Sequence, residues 1–343
     1  MKHAIELGLD TFGDITDGPD GKPLSAAQVI RNLVEEAALA DEVGVDFIGV
    51  GEHHRADFAV AAPEMVLAAI ASRTKRLRLG SAVTVLSSDD PIRVFQRFAT
   101  LDALSNGRAE VILGRGSFTE SFPLFGFDLK DYEDLFNEKL DLYAAVLREQ
   151  PVTWQGATRP PLANQNVYPK TESGRLATWI GVGGTPQSVL RAAHYGMPMM
   201  LAIIGGDPRR FAPFADLYRR ALKEMGKDEL PVGVHSHGFV GATDGEARED
   251  LFADYKRMRD KIGGERGWPP MTRAHFESEI EHGSLYIGSP ETVARKIVTT
   301  VKALGVSRFD MKYSAGPLSH EKIMRCIDLY GRKVIPLVRE MLT

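Results

Sequence analysis

The chain has 343 residues, of which 43% are hydrophobic, and its formal net charge is −4 at neutral pH. This length is enough to bury a large core, whereas the small net charge gives no electrostatic reason to expect nucleic acid or an anionic membrane as a partner. No apolar run approaches the ~20 residues that a membrane helix needs, and the first residues lack the apolar core of a signal peptide. The single cysteine, Cys326, excludes an internal disulfide framework and any multi-cysteine metal site. We therefore expect a protein of the reducing cytoplasm.

Runs of strand and helix character alternate from one end of the chain to the other. Strand-like apolar patterns cover residues 4–11, 45–51, 77–85, 109–114, 177–182, 198–204, 232–240 and 307–313. The segments between them have helical spacing, and signals for the start of a helix occur at Pro63, Pro91, Thr243 or Asp244, and Pro290.

This alternation predicts the fold. Strands separated by helices pair in parallel through right-handed crossovers, and about eight such units at this length are typical of a barrel with insertions. We predict an α/β fold, an eight-stranded parallel β/α (TIM) barrel with insertion loops, rather than an open doubly wound sheet. The whole chain, residues 1–343, is expected to form a single domain.

Two segments, near 151–176 and 263–289, are longer than ordinary connections and contain several prolines and glycines. Long irregular loops are often lids or binding loops, although a surface excursion without a role is an equal alternative. For 263–289 we consider a cover over the site, with Trp268 and Phe276 as its apolar surface; peripheral packing is the alternative for both.

Ionisable residues follow the second strand, where the working site of a β/α barrel is expected. Imidazole is the side chain best suited to proton transfer near neutral pH, which makes His53 a candidate acid or base. Neighbouring residues of an extended strand point to opposite sides, so one of His53 and His54 could face the mouth while the other packs outward. A structural, hydrogen-bonded histidine explains the pattern equally well. No metal site is expected, because the first strand lacks the paired histidines of metal-dependent barrel hydrolases.

Arg115 follows the fourth predicted strand, between Gly114 and Gly116. Flanking glycines let a backbone approach a ligand closely, and a guanidinium group suits a phosphate or a carboxylate. A salt-bridged arginine at a turn is the alternative.

A glycine-bordered turn, Gly183-Gly184-Thr185-Pro186, follows the fifth predicted strand. Thr185 can cap a helix whose first turn holds Pro186 and Ser188. Free N–H groups and the helix dipole make such a start a phosphate seat, although a well-capped helix without a ligand is also possible. The turn is not a dinucleotide fingerprint, since Pro186 stands at the last glycine position.

Several short motifs occur in one order along most of the chain: Gly51-Glu52-His53-His54, 79–83, 98–108, Gly114-Arg115-Gly116, 122–126, 192–198 and 287–292. The ordered set resembles the bacterial-luciferase-like flavin-dependent monooxygenases. Each motif alone is weak, but the order is specific for the family and not for a substrate.

The resemblance implies an FMN-dependent monooxygenase, usually a homodimer, in which reduced FMN is a co-substrate bound at the carboxyl-terminal mouth of the barrel. Dioxygen would form a peroxyflavin that inserts one oxygen atom into a small organic substrate, and a separate flavin reductase would supply the reduced FMN. His53 matches the catalytic histidine. The cofactor-binding positions implied are Ala82 and Val83, which match a non-proline cis peptide behind the flavin ring, and Arg115, Gly183, Gly184, Thr185 and Ser188 around the phosphate.

The sequence departs from luciferase at several positions. Gly114 replaces a reactive cysteine, Gly184 replaces an acidic residue of the flavin pocket, and Glu133 falls where a second phosphate-binding arginine is expected, with Tyr132 as a possible substitute. Light emission is therefore not implied.

Other functions remain open from the sequence. A barrel of the same family could transfer hydride with a deazaflavin cofactor, and a non-catalytic barrel could bind flavin without turnover. A metal-dependent hydrolase would use His53 and His54. The absorbance of the bound cofactor, the need for dioxygen and metal analysis distinguish these functions.

Two packing questions also remain. The helix with Phe98, Leu101 and Leu104 could form a dimer face or pack on the barrel. Cys326, assigned to the last helix, could be simply a buried thiol.

Overall fold

Parallel pairing of strands closes into a ring in the computed structural model of the protein, which describes residues 5–343. The strands are β1 (Glu6–Thr11), β2 (Phe47–Val50), β3 (Arg78–Ser81), β4 (Thr84–Val85), β5 (Ala109–Gly114), β6 (Val152–Trp154), β7 (Leu162–Gln165), β8 (Ala177–Val182), β9 (Met199–Ala202), β10 (Val232–Val240), β11 (Tyr286–Gly288) and β12 (Arg308–Lys312). The ring runs β1-β2-β3-β5-β8-β9-β10-β12 and returns to β1. The predicted eight-stranded parallel β/α barrel is therefore confirmed.

Helices cover the outside of this ring and connect its strands. They are α1 (Ala26–Glu42), α2 (Pro63–Arg73), α3 (Pro91–Ser105), α4 (Ser121–Phe125), α5 (Tyr132–Val146), α6 (Pro186–Tyr195), α7 (Ala212–Glu224), α8 (Asp244–Arg266), α9 (Arg273–Glu281), α10 (Pro290–Leu304), α11 (His320–Leu329) and α12 (Ile335–Leu342). Single 3₁₀ turns lie at Leu86–Ser88, Leu129–Asp131 and Pro208–Phe211, and a π turn at Tyr330–Val334 joins the last two helices. None of the helices in residues 5–343 combines the length and apolar character needed to cross a bilayer.

Each predicted strand run contains a strand of the ring. Runs 109–114, 177–182 and 232–240 coincide with β5, β8 and β10, and the others differ by a few residues at their ends. The run 4–11 begins one residue before the described part of the chain, and the run 77–85 is divided into β3 and β4 by Ala82 and Val83. Pro63, Pro91 and Pro290 each open a helix, and the side chain of Thr243 caps α8, as predicted.

The prediction of irregular structure holds for most of residues 151–176 and is wrong for much of residues 263–289. Residues 151–176 contain an antiparallel hairpin of β6 and β7. Residues 263–289 contain the end of α8, all of α9 and β11. Gly263 and Gly264 stay helical, and Thr272 caps α9 by accepting a hydrogen bond from the His275 N–H (3.1 Å). Glycine and proline content therefore indicated loops where capping and burial favour helices.

Two smaller predictions are settled by packing. Phe98 and Leu101 of α3 are fully buried within this chain, so they pack on the barrel, whereas Leu104 is exposed. Cys326 is a buried thiol, and its Sγ accepts a hydrogen bond from the Val240 N–H (3.2 Å). It lies on α11 and not on the last helix, because the chain continues into α12.

The interior of the barrel carries charge. Arg308 has no exposed surface, and its guanidinium group lies 3.7 Å from the ring centre of Phe47 and 4.9 Å from that of Trp179. It forms ion pairs with Glu110 and, at 2.8 Å, with Asp310. Burial raises the pKa of Asp310 to about 6 against the opposing effect of Arg308. Sequence analysis did not identify this cluster.

We expect Arg308→Met to destabilise the protein strongly, because it leaves the carboxylates of Glu110 and Asp310 buried without their cation. Removing one partner of a buried ion pair costs about 3–5 kcal/mol, measurable as the free energy of unfolding in denaturant. Arg332→Met is the matched control, since Arg332 pairs with carboxylates at the surface, where such pairs contribute at most about 1 kcal/mol. Equal small losses in the two variants would contradict the assignment.

Candidate active site

The predicted site residues follow neighbouring strands of the ring. β2, β3, β5 and β8 are consecutive in it, and the residues that leave their carboxyl ends are His53, Ala82 and Val83, Arg115, and 183–188 respectively. Because the strands are parallel, these ends lie on one rim of the barrel. The structure therefore brings the predicted residues together at one mouth.

His53 stands in an aromatic enclosure. Its ring centre lies 4.5 Å from that of Phe58 and 4.7 Å from those of Phe12 and Phe118. Its Nε2 atom is buried and has no hydrogen-bond partner within residues 5–343. Burial lowers the pKa of His53 to about 3, so the imidazole is neutral near pH 7. A buried ring nitrogen without a partner is suited to exchange a proton with a group that enters the enclosure.

The neighbours of His53 have different surroundings. Glu52 accepts a hydrogen bond from the Val85 N–H (2.5 Å), and burial raises its pKa to about 7. The ring of His54 lies edge-on to Phe125, with centres 5.0 Å apart. Within residues 5–343, no group of three or more histidine, cysteine, aspartate or glutamate side chains is placed to hold a metal ion.

The peptide bond between Ala82 and Val83 is cis. Glycines of the adjoining strands make room for it. A Cβ atom at Gly49 would lie 2.7 Å from the Ala82 Cβ, and one at Gly114 would lie 2.5 Å from a methyl group of Val83. Side chains at these two positions would collide with the segment. The close approach of β2 and β5 to Ala82-Val83 therefore requires glycine at both positions.

A polar cluster of Arg115, Thr185 and Ser188 lies at the start of α6 and is a candidate site for an anion; we call it the anion seat. The Thr185 side chain caps this helix, and its hydroxyl lies 2.9 Å from that of Ser188. The Arg115 guanidinium group donates to the Ser188 hydroxyl (3.2 Å) and forms an ion pair with Glu133. Gly184 has φ of +102°, which glycine adopts readily.

Arg191 joins this seat, although sequence analysis missed it. It lies one helical turn after Ser188 and donates to the second carboxylate oxygen of Glu133 (3.3 Å). The spacing of three residues, which places the two side chains on one face of a helix, could have indicated it. Tyr132, the substitute considered from the sequence, instead donates its hydroxyl hydrogen to the Gly116 carbonyl oxygen (2.8 Å).

The donors of this seat suit a phosphate monoester. Two guanidinium groups and two hydroxyl groups surround a helix start that carries a partial positive charge. The seat already attracts an anion, since the carboxylate of Glu133 lies between Arg115 and Arg191. A Cβ atom at Gly183 would meet nothing within 4 Å, which leaves space beside the turn.

The end of α8 lies across the His53 enclosure. Arg55 pairs with Glu120 (2.7 Å) and with Glu265 at the end of α8 (2.5 Å). Arg266 donates to the Ser117 carbonyl oxygen (3.0 Å), and its guanidinium group lies 4.7 Å from the ring centre of Phe118. We call this set of contacts, from Arg55 and Arg266, the clasp.

The two aromatic residues considered as a cover behave differently. Phe276 is fully buried and packs on Phe252, with ring centres 5.1 Å apart, so it belongs to the core and not to a cover. Trp268 is partly exposed and lies against Arg259 and Arg266, at 4.1 and 5.3 Å. Only the start of the segment 263–289 therefore reaches the enclosure.

A second polar group, also missed, lies deeper in the mouth. Asp10 and His235 form an ion pair of 2.7 Å between β1 and β10. The ring of Phe12, which contacts His53, lies 6.3 Å from the His235 ring and 4.8 Å from the ammonium group of Lys312. Burial opposes the charge of His235, but Asp10 outweighs it and raises the pKa. The alternation His-Ser-His in the predicted strand 232–240 was the available signal, because alternate residues share a face.

A surface cavity of about 670 Å³ lies elsewhere, between α5, α6 and the hairpin. Asp141, Trp154 and Tyr195 are among its lining residues, and the Trp154 Nε1–H donates to Asp141 (2.9 Å). None of the predicted site residues lines it, so its size alone does not make it the site.

Comparison with known proteins identifies the class to which this fold and rim belong. The model of the luciferase-like monooxygenase family matches residues 11–308. The chain therefore belongs to the luciferase-like monooxygenase family, which confirms the resemblance found in the sequence and makes the protein an enzyme, a flavin-dependent oxidoreductase.

Individual relatives are similar over nearly their whole length. The alkanal monooxygenase alpha chain of Photorhabdus luminescens is 28% identical over 92% of this chain and 93% of its own. The 4-hydroxyprotoasukamycin monooxygenase of Streptomyces nodosus subsp. asukaensis is 26% identical over 88% of this chain and 85% of its own.

Solved structures share the fold. Monooxygenase RslO1 of Streptomyces bottropensis superimposes with a TM-score of 0.85 at 23% identity, covering 97% of this chain and 99% of its own. The oxygenating constituent of 3,6-diketocamphane monooxygenase of Pseudomonas putida, in complex with FMN, gives 0.77 at 19% identity, with coverage of 97% and 99%. An F420-dependent secondary alcohol dehydrogenase gives 0.73 at 19% identity, with coverage of 98% and 99%.

We expect Asp10→Asn to lower the pKa of His235, because it removes the negative charge that raises this pKa. Since the folded-state pKa lies above the ordinary value of about 6.5, the pair stabilises the fold below that pH, and this stabilisation is lost as the pH rises through the raised pKa. The difference in free energy of unfolding between wild type and variant should therefore shrink as the pH rises.

Histidine NMR titration measures the shift directly. His320 is the internal control, because its raised pKa depends first on Glu36 and should not change. An unchanged titration of His235 in the variant would contradict the pairing.

Proposed function

We propose that the protein is an FMN-dependent monooxygenase that inserts one oxygen atom from dioxygen into a small organic substrate. The observation that carries the proposal is the placement of an imidazole, a small-residue strand end and an anion seat on consecutive strands of one rim. Reduced FMN, when bound, supplies the electrons that activate dioxygen. The residues of this chain hold, orient and shield it.

Arg115, Arg191, Thr185 and Ser188 would hold the cofactor's phosphate. Guanidinium groups bind phosphate oxygens through paired N–H donors, and the start of α6 adds partial positive charge. The segment Ala82-Val83 lies between the imidazole and the seat in the strand order, so it would lie behind the flavin ring. A protein of the same fold is known in complex with FMN, which supports FMN as the cofactor.

His53 would transfer a proton within a dry enclosure. Its neutral imidazole and its buried Nε2 without a partner support this role. The surrounding rings and the clasp exclude water, which prevents side reactions of reactive species and strengthens electrostatic interactions inside the site. The clasp contacts the loop that carries Phe118, so it would cover the substrate from above.

The proposal includes a separate reductase as the source of reduced FMN, and a homodimer. Leu104 of α3 is an exposed apolar side chain that is available to a partner copy. A cytoplasmic location remains part of the proposal, consistent with the single, buried cysteine.

Hydride transfer with a deazaflavin is the second candidate. The anion seat suits the phosphate of either cofactor, and the fold is shared with an F420-dependent dehydrogenase. Two experiments distinguish the monooxygenase from the hydride-transfer enzyme. The first titrates the protein with FMN and with the deazaflavin and follows absorbance. The second measures dioxygen uptake in the presence of chemically reduced FMN and a panel of small organic substrates. FMN binding with substrate-dependent uptake supports the monooxygenase, whereas a folded protein that binds neither cofactor contradicts both.

His53→Ala should retain FMN binding and lose most turnover, by roughly 10²- to 10⁴-fold, because a general acid or base contributes about this much. Binding is measured by flavin fluorescence and turnover by dioxygen uptake coupled to product. His282→Ala, at a side chain that is 80% exposed, is the control. Unchanged turnover in His53→Ala removes the imidazole from the mechanism.

Arg115→Ala should weaken FMN about 10- to 100-fold, because charge-assisted hydrogen bonds to the phosphate are lost. Riboflavin has no phosphate, so its affinity should change much less. Arg31→Ala, at an exposed arginine of α1, is the control. Equal losses for the two ligands would reject the phosphate position.

A further inference from the structure

Glu133 occupies the anion seat from within the protein. One oxygen of its carboxylate accepts from Arg115, and the other accepts from Arg191 at 3.3 Å. Its own side chain is 54% exposed, whereas those of Arg115 and Arg191 are 25% and 14% exposed. The guanidinium groups are thus largely buried, and the carboxylate is the partner that faces solvent.

A ligand phosphate needs the same donors. The two guanidinium groups carry two positive charges, and the carboxylate of Glu133 offsets one of them. A phosphate monoester carries about −1.5 to −2 at pH 7, so it is attracted to the two arginines and repelled by the carboxylate between them. Full engagement of both guanidinium groups by phosphate requires Glu133 to leave.

The rest of the seat has no such conflict. The hydroxyl groups of Thr185 and Ser188 and the start of α6 face the same position without an acidic partner. Asp134, the next residue along α5, is exposed and forms no ion pair with Arg115 or Arg191. The competition therefore depends on the side chain of Glu133 and not on the general charge of the helix start.

We propose that Glu133 is an internal competitor for the cofactor's phosphate, which lowers the affinity for FMN and narrows its discrimination from riboflavin. This inference rests on the proposed function, since it places the phosphate between Arg115 and Arg191. The consequence is a cofactor that exchanges with solution, as a reduced flavin delivered by another protein must.

The test compares dissociation constants for FMN and riboflavin in Glu133→Gln, which keeps the size of the side chain and removes its charge. FMN should bind roughly three- to tenfold more tightly, and riboflavin should be unchanged. Inorganic phosphate alone, titrated in the absence of flavin, should also bind more tightly to the variant than to the wild type. Unfolding temperatures show that the variant is folded, and Glu133→Ala should change FMN affinity in the same direction.

Asp134→Asn is the matched control, because it removes one charge a single residue away. If it tightens FMN as much as Glu133→Gln does, the effect is general electrostatics and the inference is wrong. Unchanged or weaker FMN binding in Glu133→Gln also overturns it.

Two variants distinguish a failure of the role of Glu133 from a failure of the phosphate position. If Arg115→Ala weakens FMN selectively while Glu133→Gln has no effect, only the role of Glu133 is rejected. If neither variant alters the ratio of FMN to riboflavin affinity, the phosphate is not in this seat, and the proposed placement falls with it.

Discussion

The guanidinium group of Arg308 sets the register of the barrel from inside. Arg308 belongs to β12 and Glu110 to β5, which stand on opposite walls of the ring, so their ion pair crosses the interior. Rings from two further strands, Phe47 and Trp179, enclose the cation. An unpaired charge in this position costs several kcal/mol. A shift of either strand by one residue would turn its charged side chain outward, so this cluster also fixes the heights at which the strands reach the rim.

Because the strands end at a common level, the residues that follow them lie close together at the rim and can form one site. Residues far apart in sequence leave consecutive strands at one end, and the chemistry is divided between two kinds of environment. His53 lies among aromatic rings and is neutral near pH 7, whereas Arg115 and Arg191 lie at a half-exposed helix start, where both pair with Glu133. In the proposed placement, a flavin would have its ring in the apolar enclosure and its phosphate near water, which suits the apolar ring and the charged phosphate of the cofactor.

The sequence predicted what depends on local patterns. Continuous apolar runs identified the strands, because strands of a parallel barrel are buried on both faces, and prolines and capping threonines identified helix starts such as those at Pro91 and Thr243. Contacts between distant residues could not be predicted in this way. Arg308 and Glu110 are separated by 198 positions, and Asp10 and His235 by 225. Arg191 could have been predicted from its spacing of three residues from Ser188. The phosphate-binding pattern in the sequence, however, covers only the first turn of α6.

The clasp joins three connections, those after β2 and β5 and the end of α8, through ionic contacts at the edge of the solvent. Phe276, from the same stretch 263–289, is anchored in the core and takes no part in the clasp. Parting the clasp would return these charges to water and leave the packing of Phe276 intact, so we expect access to the mouth to depend little on the stability of the barrel. Salt screens exposed ionic contacts more than buried ones. Added salt should therefore weaken the clasp and leave the barrel interior largely unaffected.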